Sequence, residues 1–299
     1  MDIRVLQYFL AVAREESITK AAETLHMTQP PLSRQLKDLE NEIGKQLLIR
    51  GSKKVTLTED GMLLRKRAEE IVELMEKTKA ELSSSDETIS GDVYMGSGET
   101  EAVSTIAKVA KDLQETYPLI RYHIYSGDAE HITERLDKGL IDFGLLVEPF
   151  DIAKYDYIRL PLKDTWGVLM RKDSPLATKD SITPEDLWEQ PLIISHQTSI
   201  SHEMMSWLQR DMSQLNIVAT YDLVYNASRF VKTGFGYVIA LDKLINTTGD
   251  SELCFRPLSP LLEAGLCIVW KKNQVFSRAA NQFLKQIQSE FVLEHEHEE

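Results

Sequence analysis

From Ile3 to Ala13 the apolar residues Val5, Leu6, Phe9, Leu10 and Ala13 recur at helical spacing, which predicts a first amphipathic helix. Ser17 reads as the N-cap of a short second helix, about Ile18 to Leu25, whose small pair Ala21-Ala22 lets another helix approach closely, and His26-Met27 makes the turn. Thr28 is placed to cap a third helix with Pro30 and Pro31 in its first turn, where a missing N–H costs little because it has no intrahelical partner. Leu32, Leu36, Leu39 and Ile43 form one stripe of this helix and leave Gln29, Ser33, Arg34 and Lys37 on the outward side. Gly44 ends it. Leu47 to Arg50, Gly51-Ser52-Lys53-Lys54 and Val55-Thr56-Leu57 then read as strand, turn and strand, a wing with a basic tip.

Thr58-Glu59-Asp60 caps a long helix running to about Leu82. Within it Leu64, Ala68, Ile71, Met75, Thr78 and Leu82 are spaced as a heptad seam. Such a seam packs either on its own domain or on a second chain, and the dense Glu, Lys and Arg on its flanks favour the second chain. Ser83-Ser84-Ser85-Asp86 reads as a linker.

After Gly91 strands alternate with helices. The first set comprises strands Asp92 to Gly96, Arg121 to Tyr125 and Ile141 to Val147, with helices about Glu101 to Glu115 and His131 to Asp137. The second has strands near Trp166 to Met170, Leu192 to Ser195, Ile217 to Val224, Tyr237 to Ala240 and Cys267 to Trp270, and helices about Pro184 to Trp188, Ser201 to Met212 and Ser228 to Thr233. A helix from about Ser277 to Val292 and an acidic tail close the chain. This alternation predicts an α/β region.

A length of 299 residues favours two or three domains. No stretch approaches the roughly 20 consecutive apolar residues of a membrane span. The start, Met1-Asp2-Ile3-Arg4, lacks a basic segment followed by an apolar run, so the expected location is cytoplasmic, with no membrane partner. Cys254 and Cys267 are too few for a disulfide framework and match no zinc spacing. They read as buried thiols, or as a redox pair if they lie on neighbouring strands.

The net charge of −13 argues at first against a nucleic-acid partner. Its distribution reverses that reading: residues 1–82 carry 14 basic and 14 acidic side chains, so the excess belongs to the remainder. Residues 28–58 hold six basic groups against three acidic ones, a surplus suited to phosphate contact.

Ser17, Ala21-Ala22, Leu25, Thr28-Gln29-Pro30, Ser33, Gln35, Leu39-Glu40, Gly44, Leu47, Arg50 and Leu57-Thr58-x-x-Gly61 together resemble the DNA-binding domain of the LysR-type transcriptional regulators. The likeness continues in Gly91, Tyr117-Pro118, Gly139-x-Ile141-Asp142 and Gly234-x-Gly236. Leu48 departs from a usual Phe, and Leu241 from a frequent Pro. The resemblance implies a homodimer or homotetramer that binds double-stranded promoter DNA, with RNA polymerase a further partner if it activates. It also implies three parts: a winged helix-turn-helix at 1–58, a dimerisation helix and hinge at 59–90, and an effector-binding domain at 91–299. That last domain would be a periplasmic-binding-protein-like pair of α/β subdomains, 91–161 with 268–299 and 162–267, with a small-molecule effector in the cleft between them.

The major groove of B-DNA admits one α-helix. Gln29, Ser33 and Arg34 suit base edges or phosphates there, and Ser17, Thr19, Thr28, Pro30, Pro31 and Lys37 lie on the same or adjoining surface. Arg50, Lys53 and Lys54 suit the backbone or minor groove. Ser97-Gly98-Glu99-Thr100 lies between a strand and a helix N-terminus, where N–H groups favour an anion; Glu99, Glu101 and Asp128 favour the opposite charge. By the resemblance, Thr100 and the turn at Asp128-Ala129 face the cleft from one side, and Ser195-His196-Gln197-Thr198 and Asn226-Ala227 face it from the other. Thr100 and Ser195 read equally as helix or turn caps.

No catalytic constellation, cofactor or metal is expected. His202-Glu203 lacks the second His of a zinc-protease motif, His295 and His297 sit in the acidic tail, and no nucleophile elbow or phosphate-binding loop occurs. A small-molecule-converting α/β enzyme with an accessory DNA-binding domain is the alternative. An architectural DNA-binding protein is a third reading, and the size of residues 91–299 counts against it.

Overall fold

Asp2 accepts a hydrogen bond from the Arg4 N–H at 2.8 Å and caps helix α1 (Ile3–Glu15), whose Leu6, Phe9 and Val12 are fully buried. The computed structural model describes residues 1–51, 54–82, 89–148, 150, 152–196 and 202–291. The chain divides into two compact units between residues 83 and 84. In the first, Ser17 caps α2 (Ile18–Thr24) by accepting from the Lys20 N–H at 3.3 Å, and Ala21-Ala22 are buried against the neighbouring helices. Helix α3 (Gln29–Ile43) turns Leu32, Leu36 and Leu39 into that core. Two details differ from expectation. Thr28 holds the cap position without a side-chain bond, and Ile43, one helical turn past Leu39, is 39% exposed rather than buried.

Gly44 ends α3 in the left-handed region at φ 72°, where it carries no Cβ penalty. Strands β1 (Leu48–Arg50) and β2 (Val55–Leu57) pair antiparallel with Leu48 opposite Leu57. Glu40 Oε1 fixes the approach to the wing by accepting from the N–H groups of Leu47 at 2.8 Å and Leu48 at 3.0 Å. Thr58 Oγ1 donates to the Gln46 carbonyl and accepts from the Gly61 N–H, starting α4 (Glu59–Leu82). A Cβ on Gly61 would run into the Leu47 carbonyl, so the contact of α4 with the wing requires glycine there.

The second unit is organised by one sheet in the order β4-β3-β5-β11-β6-β9-β7-β8, with β10 also on β6. Its strands are β3 (Gly91–Ser97), β4 (Ile120–Ser126), β5 (Phe143–Val147), β6 (Tyr155–Arg171), β7 (Leu192–Ser195), β8 (Ile217–Tyr221), β9 (Tyr237–Leu241), β10 (Leu253–Pro257) and β11 (Glu263–Lys271). Helices α5 (Ala102–Thr116), α6 (Ala129–Asp137), α7 (Pro184–Leu187), α8 (His202–Leu208), α9 (Val224–Lys232) and α10 (Arg278–Phe291) cover its faces. Val93, Ile106, Phe143, Leu266 and Phe283 centre one core, and Val168, Leu192, Trp207 and Ile239 another.

Strand β6 joins the two. Its residues Tyr155 to Thr165 pair with β11, and Trp166 to Leu169 pair with β9. Of this 17-residue strand only Trp166 to Met170 was expected, and β10 was not anticipated. The stretch expected as a strand to Val224 stops at Tyr221, and α9 starts at Val224 rather than Ser228.

Cys254 pairs across from Met170 and Cys267 from Arg159, 170 − 159 = 11 positions apart along β6. At about 3.3 Å per residue the two lie roughly 35 Å apart, whereas a disulfide needs Cα atoms within about 7 Å. Both thiols are buried, and burial pushes both above the usual thiol range. An intramolecular redox pair is therefore ruled out by the strand register.

Candidate nucleic-acid interface and effector cleft

The outward side of α3 is set by its buried leucines. Opposite them, Pro30, Arg34, Lys37 and Asn41 follow one another at 4, 3 and 4 residues and are all exposed. Among the described residues Arg34 and Lys37 form no ion pair, so their charge is available to an external anion. Gln29 and Pro31 are exposed in the first turn, and Ser33 is half-buried beside the leucine stripe. Ser17 is occupied as a cap, while Thr19 and Thr28 are exposed.

The wing differs from α3. Arg50 lies 3.7 Å from Glu40 and Lys54 lies 3.1 Å from Glu16, so each must exchange a carboxylate for a phosphate to touch DNA. Lys53 lies outside the described residues. In α4, Leu64 packs on the core and Ala68 is buried, whereas Ile71, Leu74 and Leu82 are exposed and Met75 is half-buried. Thr78 donates its hydroxyl to the Leu74 carbonyl and is exposed. The seam therefore divides. Its start belongs to the domain core, and its later turns present an apolar strip.

In the second unit the loop after β3 reaches both halves. Ser97 is buried and donates to the Gly98 carbonyl at 2.6 Å. The Glu99 carboxylate accepts the N–H groups of Val224 and Tyr225 at the start of α9, where the helix dipole favours negative charge. Burial nevertheless raises the Glu99 carboxyl above its ordinary range, outweighing these two bonds. Thr100 is buried. Its Oγ1 accepts from the Ala102 N–H at 3.1 Å and its hydroxyl donates to Asp164 on β6. Asp164 is 4% exposed, its Oδ2 has no hydrogen-bond partner among the described residues, and burial raises its carboxyl.

Asp128 is used locally as the cap of α6, accepting from the His131 N–H at 2.8 Å and from His131 Nδ1 at 2.7 Å. That contact raises the imidazole above its ordinary value. Ala129 opens α6 and is half-buried. Ser195 ends β7 half-buried, and His196 is exposed with its N–H donated to the Tyr221 carbonyl. Asn226 is exposed on α9, whereas Ala227 is buried in a further core with Leu169, Ile193 and Val238. Gln197 and Thr198 lie outside the described residues. Asp164 and the Val224 N–H were not anticipated; nothing in the local sequence marks either, because their partners stand 64 and 125 residues away.

No group of three or more His, Cys, Asp or Glu among the described residues is arranged to hold a metal, and no described helix is long and apolar enough to cross a membrane. Residues 86–292 match the LysR substrate binding domain, and residues 3–62 match the bacterial regulatory helix-turn-helix protein, lysR family. The chain belongs to the LysR family. It is a LysR-type transcriptional regulator with an N-terminal DNA-binding domain and an effector-binding α/β domain. This LysR-type chain is similar to the HTH-type transcriptional regulator BsdA of Bacillus subtilis (strain 168), 33% identical over 292 residues, 95% of this chain and 99% of that one. It is also similar to the Hca operon transcriptional activator HcaR of Escherichia coli (strain K12), 28% identical over 282 residues, 92% and 93% of the two chains. Full-length CbnR in complex with its target DNA shares the fold with a TM-score of 0.76 and 17% identity, covering 97% of this chain and 99% of that one.

Proposed function

We propose that this LysR-type regulator reads promoter DNA with the outward face of α3 and assembles through the later turns of α4. A small effector then sets its output from the junction of Glu99, Thr100, Asp164 and the start of α9. The observation that carries the DNA assignment is the pair Arg34 and Lys37, exposed and without ion pairs among the described residues, opposite a fully buried leucine stripe. A cation already bound to a carboxylate must give that up on binding; these two need not. Ser17, Thr19, Thr28, Gln29, Pro30, Pro31, Ser33, Arg50, Lys53 and Lys54 complete the surface, with the wing on the backbone. The protein acts in the cytoplasm, without catalysis, and if it activates, RNA polymerase is a further partner.

What supports the effector site is that Glu99 links the loop after β3 to α9, so the two halves of the second unit are tied by a carboxylate. A ligand that favours one arrangement of the halves shifts that equilibrium; one with equal affinity for both shifts nothing. Ser97, Gly98, Asp128, Ala129, Ser195, His196 and Asn226 are assigned to the rim, and Gln197 and Thr198, which lie outside the described residues, are proposed as effector contacts on the sequence resemblance alone. The test is to map the promoter fragments the full chain binds, then titrate candidate metabolites into the protein–DNA complex. The reading requires that at least one metabolite changes DNA affinity in the wild type and not when Glu99 and Asp164 are both replaced by their amides. Equal responses in the two proteins would place the effector elsewhere.

A further inference from the structure

The junction of Glu99, Thr100 and Asp164 constrains the charge of what it can take. Helices α5, α6 and α9 begin at this junction or its rim, and N–H groups at a helix start ordinarily receive an anion. Here those groups are answered from within the chain. Thr100 Oγ1 accepts from the Ala102 N–H at 3.1 Å in α5, and Asp128 accepts from the His131 N–H at 2.8 Å in α6. The Glu99 carboxylate holds the N–H groups of Val224 and Tyr225 in α9. An anionic effector would have to displace a carboxylate of the chain to reach the start of α6 or α9.

What is missing at the junction is a donor. Asp164 is 4% exposed, and its Oδ2 has no hydrogen-bond partner among the described residues. The carboxyl stands where the two halves meet: Thr100 and Glu101, after β3, act on it from one half, and Asp242 and Lys243, just past the end of β9, from the other. Glu101 and Asp242 add negative charge. Lys243 opposes them, but its side chain is 64% exposed and its ammonium lies 3.9 Å from Asp242. Residues 83–299 also carry the whole net charge of −13, and a cleft of one sign concentrates the opposite charge. A buried carboxylate oxygen without a donor costs free energy that a cationic N–H recovers, through a bond roughly twice as strong as a neutral one. On the reading that the effector sits at this junction, we infer that it is a small organic cation, a primary amine, whose ammonium donates to Asp164 Oδ2. Because that oxygen is buried, the ammonium reaches it as the loop after β3 parts from the end of β9. Binding therefore favours one arrangement of the halves, the condition for altering DNA affinity.

The probes are three pairs matched in length: butylamine and butyrate, putrescine and succinate, benzylamine and benzoate. Each is titrated into the full chain at constant ionic strength and followed by calorimetry or ligand-observed NMR. At least one amine binds the wild type saturably, and its carboxylate partner binds about tenfold more weakly or worse. Asp164→Asn, whose carboxamide still accepts from Thr100, weakens that amine by about tenfold to a hundredfold. Glu99→Ala frees the Val224 and Tyr225 N–H groups, so the carboxylate partner gains affinity, a change that does not depend on the folding of Asp164→Asn. Amine binding that Asp164→Asn leaves unchanged overturns the inference, as does a Glu99→Ala protein that still rejects all three carboxylates. A carboxylate that binds the wild type more tightly than its amine, and is lost when Glu99 and Asp164 are both replaced by their amides, overturns the cation and keeps the junction as the effector site. Absence of saturable binding by any amine also overturns the cation, while the metabolite titration into the protein–DNA complex still decides the site.

Discussion

Thr100→Val isolates a hydroxyl that the effector domain uses twice. Thr100 Oγ1 accepts from the Ala102 N–H at the start of α5, and the same hydroxyl donates to Asp164, whose other oxygen already lacks a partner. Valine preserves the shape and removes both bonds. Losing the cap-type bond costs about 1 kcal/mol, and leaving the buried Asp164 carboxylate without its side-chain donor costs a further 1–3 kcal/mol or so. The sum, about 2–4 kcal/mol, lowers the melting temperature of a domain of this size by roughly 5–15 °C. Asp164 also fixes the pH dependence. Burial raises its carboxyl, and a protonated acid is cheaper to leave unpaired than a carboxylate, so the gap to wild type narrows as pH falls through its titration. Melting of the full chain with and without Thr100→Val, in the presence and absence of Asp164→Asn, measures the coupling; the double variant loses less than the sum of the singles. A Thr100→Val protein that melts with the wild type would show that the hydroxyl serves a ligand and not the fold.

Ile71→Asp places a charge in the exposed apolar strip of α4 formed with Leu74, Met75 and Leu82. Sedimentation is expected to show smaller species while the helix content is retained, and an unchanged assembly state would assign the strip to another contact. Glu99→Gln keeps an acceptor for the Val224 N–H and removes a charge whose carboxyl is raised by burial. A folded-state value above the unfolded one means that the stability tied to Glu99 is complete below its ordinary range and is lost as pH rises through the raised value. The variant is therefore at least as stable as wild type near pH 7, by an advantage that shrinks toward pH 4; thermal melts across that range decide it, and an advantage that grows on acidification contradicts the assignment.

The DNA-binding unit was legible because its determinants are local. Ser17 caps three residues from its donor, Leu32, Leu36 and Leu39 recur on one helical face, and Gly44 sits where the chain needs a positive φ. The effector domain was legible in element type but not in connection. Strand β6 carries Pro161, which has no N–H to give and normally marks a strand's end or edge. It is tolerated here because the register with β11 shifts between Gly265 and Cys267, leaving residues 160–162 outside the regular ladder. Likewise Val218, Tyr221, Leu223 and Val224 read as one continuous strand, and what converts Val224 to a helix start is the Glu99 carboxylate from 125 residues earlier. Periodicity carries no information about a cap supplied from that distance. Thr100 was recognised as either a cap or a contact; its bond from the Ala102 N–H is local, whereas its partner Asp164, 64 residues on, could not be read from the sequence.

The most direct test of the DNA-reading assignment is the affinity of Arg34→Ala for a mapped promoter fragment, measured over a range of salt concentrations beside its assembly state. Arg34 is exposed, opposite the buried leucines, and has no ion pair among the described residues, so its removal leaves fold and assembly intact. If it reads a base, affinity falls by about 1–3 kcal/mol, concentrated at one operator position; if it holds a phosphate, the loss is uniform across sequences and the salt slope drops by about one unit. Unchanged affinity together with an unchanged slope would contradict the assignment of α3 as the reading helix.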